Sequence, residues 1–189
     1  SALYGRTGRA AVSEQAYPSL EQFFSELGAA YSKGVRAFAD AGCRYLQLDE
    51  VFIAMLCDPN YRKTQEGRGD DPRKLAERYA DLINAAMSDI PSDMTITMTL
   101  CRGNYRSTFM GSGGYDPVAD ILFDRIKVHG YFMEYDTDRA GTFEPLRRVR
   151  KGQIVVLGLV TTKTGELESK DRIKRRIEGA VSSSRASAE

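Results

Sequence analysis

The 189 residues carry 27 basic and 26 acidic side chains, a net charge of +1, with 42% apolar and 28% charged residues. That balance suits one soluble globular domain with a buried core, and it gives no global field to draw nucleic acid or an anionic membrane. No apolar run approaches the roughly 20 residues of a membrane span, and the start Ser1-Ala2-Leu3-Tyr4-Gly5-Arg6 has no signal-peptide core.

Residues 19–41 set Leu20, Phe23, Phe24, Leu27, Tyr31, Val35 and Phe38 at steps of three and four, one apolar face of a helix. Ser19 with Gln22 is a capping-box signal at its start, and Gly42 is a natural stop. Tyr45 to Asp49 reads as a short buried strand. A polar, glycine-containing stretch runs from Asp58 to Asp71. Asp71-Pro72 opens a second helix, with Leu75, Tyr79, Leu82, Ile83 and Met87 on its inner face. Met94 to Leu100 is strand-like. Asp116-Pro117 opens a third helix with Val118, Ile121, Leu122 and Ile126 inward. Val128 to Tyr135 is a third strand. Ile154 to Val160 is a fourth, with the unbroken apolar character of a strand covered on both faces. Ser169 to Val181 is a last helix, and 182–189 reads as a frayed polar tail.

Strands alternating with helices imply right-handed crossovers and a parallel sheet, an α/β fold. A closed (β/α)8 barrel needs about 200–250 residues. The pattern therefore leaves an open four-stranded sheet or part of a barrel, with no repeat or linker to mark a second domain within 1–189.

In parallel α/β folds the chemistry gathers at the carboxyl ends of strands. Here those ends supply Asp49-Glu50, then Cys101-Arg102-Gly103-Asn104, then Glu134 with Tyr135 and Asp136, then Thr161-Thr162-Lys163. Each has an ordinary reading. Asp49 and Glu50 can cap a helix or pair with a surface arginine, and a single cysteine is commonly a small buried hydrophobe. His129, the only histidine, is five positions from Glu134, so a regular strand turns the two to opposite faces. Gly111-Ser112-Gly113-Gly114 lacks phosphate-loop spacing, and the basic run Lys170 to Arg176 reads as a solvated helix face. Cys43, Cys57 and Cys101 are an odd number without paired spacing, which argues against a disulfide framework and for a reducing cytoplasm. Taken together, a cysteine and a glutamate from neighbouring strands at one rim suit zinc, which accepts thiolate and carboxylate together.

Four ordered blocks carry a resemblance: Ala41 to Glu50, Leu100 to Ser107, Tyr131 to Asp136, and Val156 to Glu168. They resemble the catalytic-barrel blocks of cobalamin-independent methionine synthases, and are most similar to the shorter single-barrel bacterial homologues, from about Gly8 to Ala180. The resemblance implies about half of a TIM-type (β/α)8 barrel and methyl transfer from methyltetrahydrofolate to a thiol such as homocysteine. It implies a zinc that deprotonates the thiol, with Cys101 and Glu134 as metal ligands and Asp49 holding the substrate amino group. Glu50, Arg102 and Asn104 belong to the matching substrate loops.

The chain departs from that pattern. Thr99 stands where the family has a histidine ligand, and the family's late cysteine has no counterpart. Two of about four zinc ligands remain. The alternative is a catalytically incomplete interaction module, whose open sheet edges pair with another copy or a complementing chain. A third reading keeps the chemistry on another thiol or another alkyl donor.

Overall fold

The computed structural model describes residues 2–185. Four strands form its sheet: β1 (Tyr45–Glu50), β2 (Thr95–Leu100), β3 (Gly130–Glu134) and β4 (Ile154–Gly158). They lie in the order β1-β2-β3-β4, and every neighbouring pair is parallel. Right-handed crossovers that always step the same way through a sheet put every connection on one face. Burial follows that rule. Ile96, Met98, Leu100, Tyr131 and Met133 are fully buried, and Leu46, Leu48, Val155 and Leu157 pack against the same core. On the other face Tyr45, Gln47, Asp49, Ile154 and Val156 are exposed.

That bare face corrects the reading of the fourth strand. β4 is covered on one side only: Ile154 is 66% and Val156 41% exposed. Its continuous apolar run includes one face that nothing among the described residues covers. The strand also stops at Gly158, short of Val160.

Capping chemistry explains the helices that flank the sheet. After a short first helix, α1 (Ala2–Thr7), comes α2 (Leu20–Asp40), where the Ser19 hydroxyl accepts from the backbone N–H groups of Glu21 and Gln22, satisfying two of the four unpaired donors at its start. The reciprocal half of the capping box does not form, because the Gln22 amide donates to Glu26 at 2.9 Å. Gly42 ends the helix at φ +93°, a conformation that suits glycine. In α5 (Pro72–Ala86) Asp71 caps Arg73 and Lys74, Pro72 fills the first position, and all five expected inner residues are buried. α2 packs along α5; Tyr31 and Phe38, at 56% and 57% exposure, fall outside the strip α5 covers.

Three elements depart from the sequence expectation. The stretch Asp58 to Asp71 contains a helix, α4 (Pro59–Gly67), capped by Asp58 on Asn60 and Tyr61 and preceded by a short turn of helix, α3 (Phe52–Met55). The third helix is irregular: a 3-10 turn, Asp116–Val118, leads into a π-helical turn, Ile121–Arg125. Val118, Ile121, Leu122 and Ile126 are nevertheless buried as expected. The last helix, α6 (Lys170–Arg185), takes in residues 182–185 of the expected tail, and 186–189 lie outside the described residues. No helix among the described residues is long and apolar enough to cross a membrane.

Candidate functional site at the carboxyl rim

Strand alternation decides which side chains meet. The register pairs Asp49 with Thr99 and Thr99 with Phe132, so these three share the bare face. Continuing the β2–β3 register one residue past Leu100 and Met133 sets Cys101 beside Glu134, at the roughly 5 Å spacing of adjacent strands. Cys101 and Glu134 line one open cavity of about 290 Å³, together with Thr99, Asn104, Asp136 and Lys163. The sulfur accepts from the Gly103 backbone N–H at 3.3 Å. Asp49 sits on the same face, one strand over and one pair deeper, and is exposed.

The other nominated residues have different positions. Glu50 points to the helix-covered face, where it is 5% exposed and accepts from the backbone N–H groups of Phe52 and Ile53 at 2.6 and 3.0 Å. That bonding makes it the cap of the turn after β1. The Arg102 guanidinium is fully buried, 4.2 Å over the Tyr115 ring, and donates to the Gly113 carbonyl. Only its backbone faces the rim, where its N–H donates to Glu134 Oε2 at 3.0 Å. Asn104 is exposed at the cavity and donates to the Thr162 hydroxyl at 2.7 Å, tying the loop after β2 to the turn after β4. His129 is at the start of β3, the opposite end of the sheet from the rim, where Nδ1 accepts from Ile96 N–H at 3.0 Å. In the basic run, Arg176 bonds the Asp136 carbonyl at 3.0 Å. Cys43, Cys57 and Cys101 are all free; Cys57 is buried, and burial pushes its thiol up to about 12.

Asp136 and Lys163, which the sequence places at the strand ends without assigning them a role, meet Arg139, which it did not single out. Lys163 Nζ donates to Glu134 Oε1 at 2.7 Å and Asp136 Oδ2 at 3.1 Å. Arg139 bonds Glu134 and reaches Asp136 at 3.1 Å. The Thr161 hydroxyl donates to Asp136 Oδ2 at 3.0 Å. Two carboxylates and two cations thus form a neutral, mostly buried network. The sequence signals were the positions of Asp136 and Lys163 just after β3 and β4 and the i, i+3 spacing of Asp136 and Arg139. No three His, Cys, Asp or Glu side chains converge to hold a metal among the described residues.

Burial raises both carboxyls, but for Glu134 the Lys163 ammonium, the Arg102 N–H and Arg139 outweigh it, and for Asp136 Lys163, Arg139 and Thr161 do; both end below their ordinary values. A carboxyl lowered on folding adds stability above its unfolded pKa, about 4, and that stability is lost as pH falls through the folded value. Urea unfolding at stepped pH will therefore show a contribution from this network that is level above about pH 5 and falls below about pH 4. Asp136→Asn will flatten part of the fall; an unchanged acid limb would remove Asp136 from the account.

No family model matches the chain. Two uncharacterized Bacillus subtilis proteins, YxjH and YxjG, are each 47% identical to it, over 87% and 84% of this chain and 44% and 42% of theirs. Among solved structures, a candidate vitamin-B12-independent methionine synthase from Listeria monocytogenes is 40% identical, with a TM-score of 0.68 over 87% of this chain and 45% of that one. The chain spans less than half the length of each of these relatives.

Proposed function

We propose that this chain is one wall of a methyltransferase barrel of the cobalamin-independent methionine synthase type, and that its carboxyl rim receives a thiol. The observation that carries the reading is the shared cavity of Cys101 and Glu134 on the bare face of a sequentially ordered parallel sheet, the face that would line the interior if the sheet were part of a barrel. The likeness to the Listeria protein supports it. In this reading Asp49, exposed on the same face, takes the ammonium group of an amino-acid thiol such as homocysteine, and methyltetrahydrofolate is the methyl donor. Asn104, tied to Thr162, shapes the mouth of the cavity.

The zinc of the resemblance does not fit these residues by themselves. Cys101 offers a thiol, but Thr99 replaces an imidazole with a weak hydroxyl donor, and the Glu134 carboxylate already carries Lys163 and Arg139. A catalytic zinc needs three protein ligands with an open position. Chemistry through a bound zinc is not assigned to this chain's own groups.

The bare face favours a second reading, an interaction module completed by a further segment. Tyr45, Ile154 and Val156 are 52%, 66% and 41% exposed there. The test is methionine formation from homocysteine and methyltetrahydrofolate, with the chain alone and with the remaining segment of the Listeria protein supplied separately. Turnover that falls at least 100-fold in both Cys101→Ser and Glu134→Gln supports the first reading. Assembly with the segment but turnover insensitive to both substitutions contradicts it and leaves the second.

A further inference from the structure

We infer that Lys163 is the resident cation of the rim: its ammonium occupies the place between Glu134 and Asp136, and Glu134 ligates a divalent metal only when Lys163 is displaced. The inference uses the proposed thiol site for its choice of zinc as a probe; its geometry stands independently.

Every carboxylate oxygen of the pair has a partner. Glu134 Oε1 takes Lys163 and Arg139, and Oε2 takes the Arg102 backbone N–H. Asp136 Oδ1 takes Arg139, and Oδ2 takes Lys163, Thr161 and Arg139. The side chains of Lys163 and Arg139 are each 11% exposed and that of Asp136 is 3% exposed, so this is not a solvated surface pair. A divalent cation added to Glu134 with both residents in place would set four positive charges against two negative ones, and uncompensated charge is costly where water is scarce.

The lysine is also delivered, not merely nearby. Its backbone N–H donates to the Thr161 hydroxyl at 3.2 Å, that hydroxyl donates to Asp136, and the Thr161 N–H is held by Glu168 at 2.8 Å. The turn after β4 is thus fastened to the rim at several points, with Asn104 adding a tie from the Cys101 loop. Thr99, on the same face, supplies no imidazole that would compensate for a carboxylate already taken.

Zinc ion alone, titrated into the purified chain against a chromophoric chelator at neutral pH, tests this. The parent chain and its Glu134→Gln variant are expected to bind zinc equally weakly, because Glu134 is not a ligand while Lys163 is in place. Lys163→Met is expected to bind at least ten-fold more tightly, and Lys163→Met/Glu134→Gln to return to the parent level. Lys163→Gln, which keeps a hydrogen-bond donor without the charge, serves if the methionine variant does not fold. The inference is overturned if Glu134→Gln weakens zinc binding by the parent ten-fold or more, if removing the lysine brings no gain, or if the gain survives loss of Glu134. The parent and Glu134→Gln arm needs no change at Lys163. Failure of the thiol-transfer reading appears instead as absent methionine formation, which none of these titrations measures.

Discussion

Arg139→Met lowers the stability of the fold by roughly 3–5 kcal/mol, the cost of stranding a buried carboxylate by removing its partner. Arg139 does several things at once. Its guanidinium bonds Glu134 and Asp136, its Nη1 donates to the Gly111 carbonyl at 3.0 Å, and its plane lies 4.3 Å from the centre of the Phe109 ring. The Arg139 carbonyl also accepts from Gly113 N–H at 2.7 Å, so the segment around it anchors the 111–114 loop to the turn after β3. Methionine keeps much of the apolar contact with Phe109 and loses the charge, which leaves one lysine facing two carboxylates. Arg139→Lys keeps the charge without the planar fork and recovers part of the loss. Urea unfolding measures both. A loss below about 1 kcal/mol for the methionine variant, the size typical of exposed ion pairs, would place the network at the surface and sink the buried-network account.

Phe123→Ala costs a similar amount, roughly 3–5 kcal/mol, for a different reason. Phe123 is fully buried in the π-helical turn and meets Tyr131 of β3 edge to face, with ring centres 5.3 Å apart. The Tyr131 hydroxyl donates to the Leu122 carbonyl in the same turn. The ring therefore locks an irregular segment onto the strand that ends in Glu134. Removing it opens a cavity where the backbone has little regular helix to hold it in place. Tyr131→Phe is the companion variant: it removes one hydrogen bond to a buried carbonyl and costs about 1–3 kcal/mol. Thermal and urea unfolding read both. Equal effects from the two variants would mean that the hydrogen bond, not ring packing, holds the turn.

That turn shows where the sequence was informative and where it was not. The apolar spacing of Val118, Ile121, Leu122 and Ile126 correctly marks an inward face, because burial depends on which residues are apolar. It does not reveal that the turn widens, because the partner of the Leu122 carbonyl is a tyrosine nine residues later, on β3, which donates to it. Asp71-Pro72 is readable as a helix start because the inner face of α5 follows it. Asp58-Pro59 carries the same capping chemistry, but the polar residues of α4 after it mask the signal. The apolar run of β4 shows what surface the strand presents, but not whether anything covers that surface.

The candidate site divides in the same way. Strand alternation is local and strict, so the shared face of Asp49, Cys101 and Glu134 is legible once the strands are placed. Glu50, one residue on from Asp49, necessarily turns to the other face, and there it caps α3. The ion network is not legible. Lys163 and Glu134 are 29 residues apart and meet through the turn after β4, whose path is set by Thr161, Glu168 and Asn104. Arg102 is the reverse case: it belongs to the matching loop by sequence, but its guanidinium stacks inward on Tyr115 and leaves only its backbone at the rim.

An X-ray structure of the chain is the most direct test that a thiol and a salt-bridged carboxylate share the bare face of this sheet. Electron density is expected for Cys101 Sγ and the Glu134 carboxylate in one cavity, with Lys163 Nζ within hydrogen-bond reach of both Glu134 and Asp136. Density that turns Cys101 or Glu134 toward the helix-covered side, among Leu100 and Met133, would contradict it.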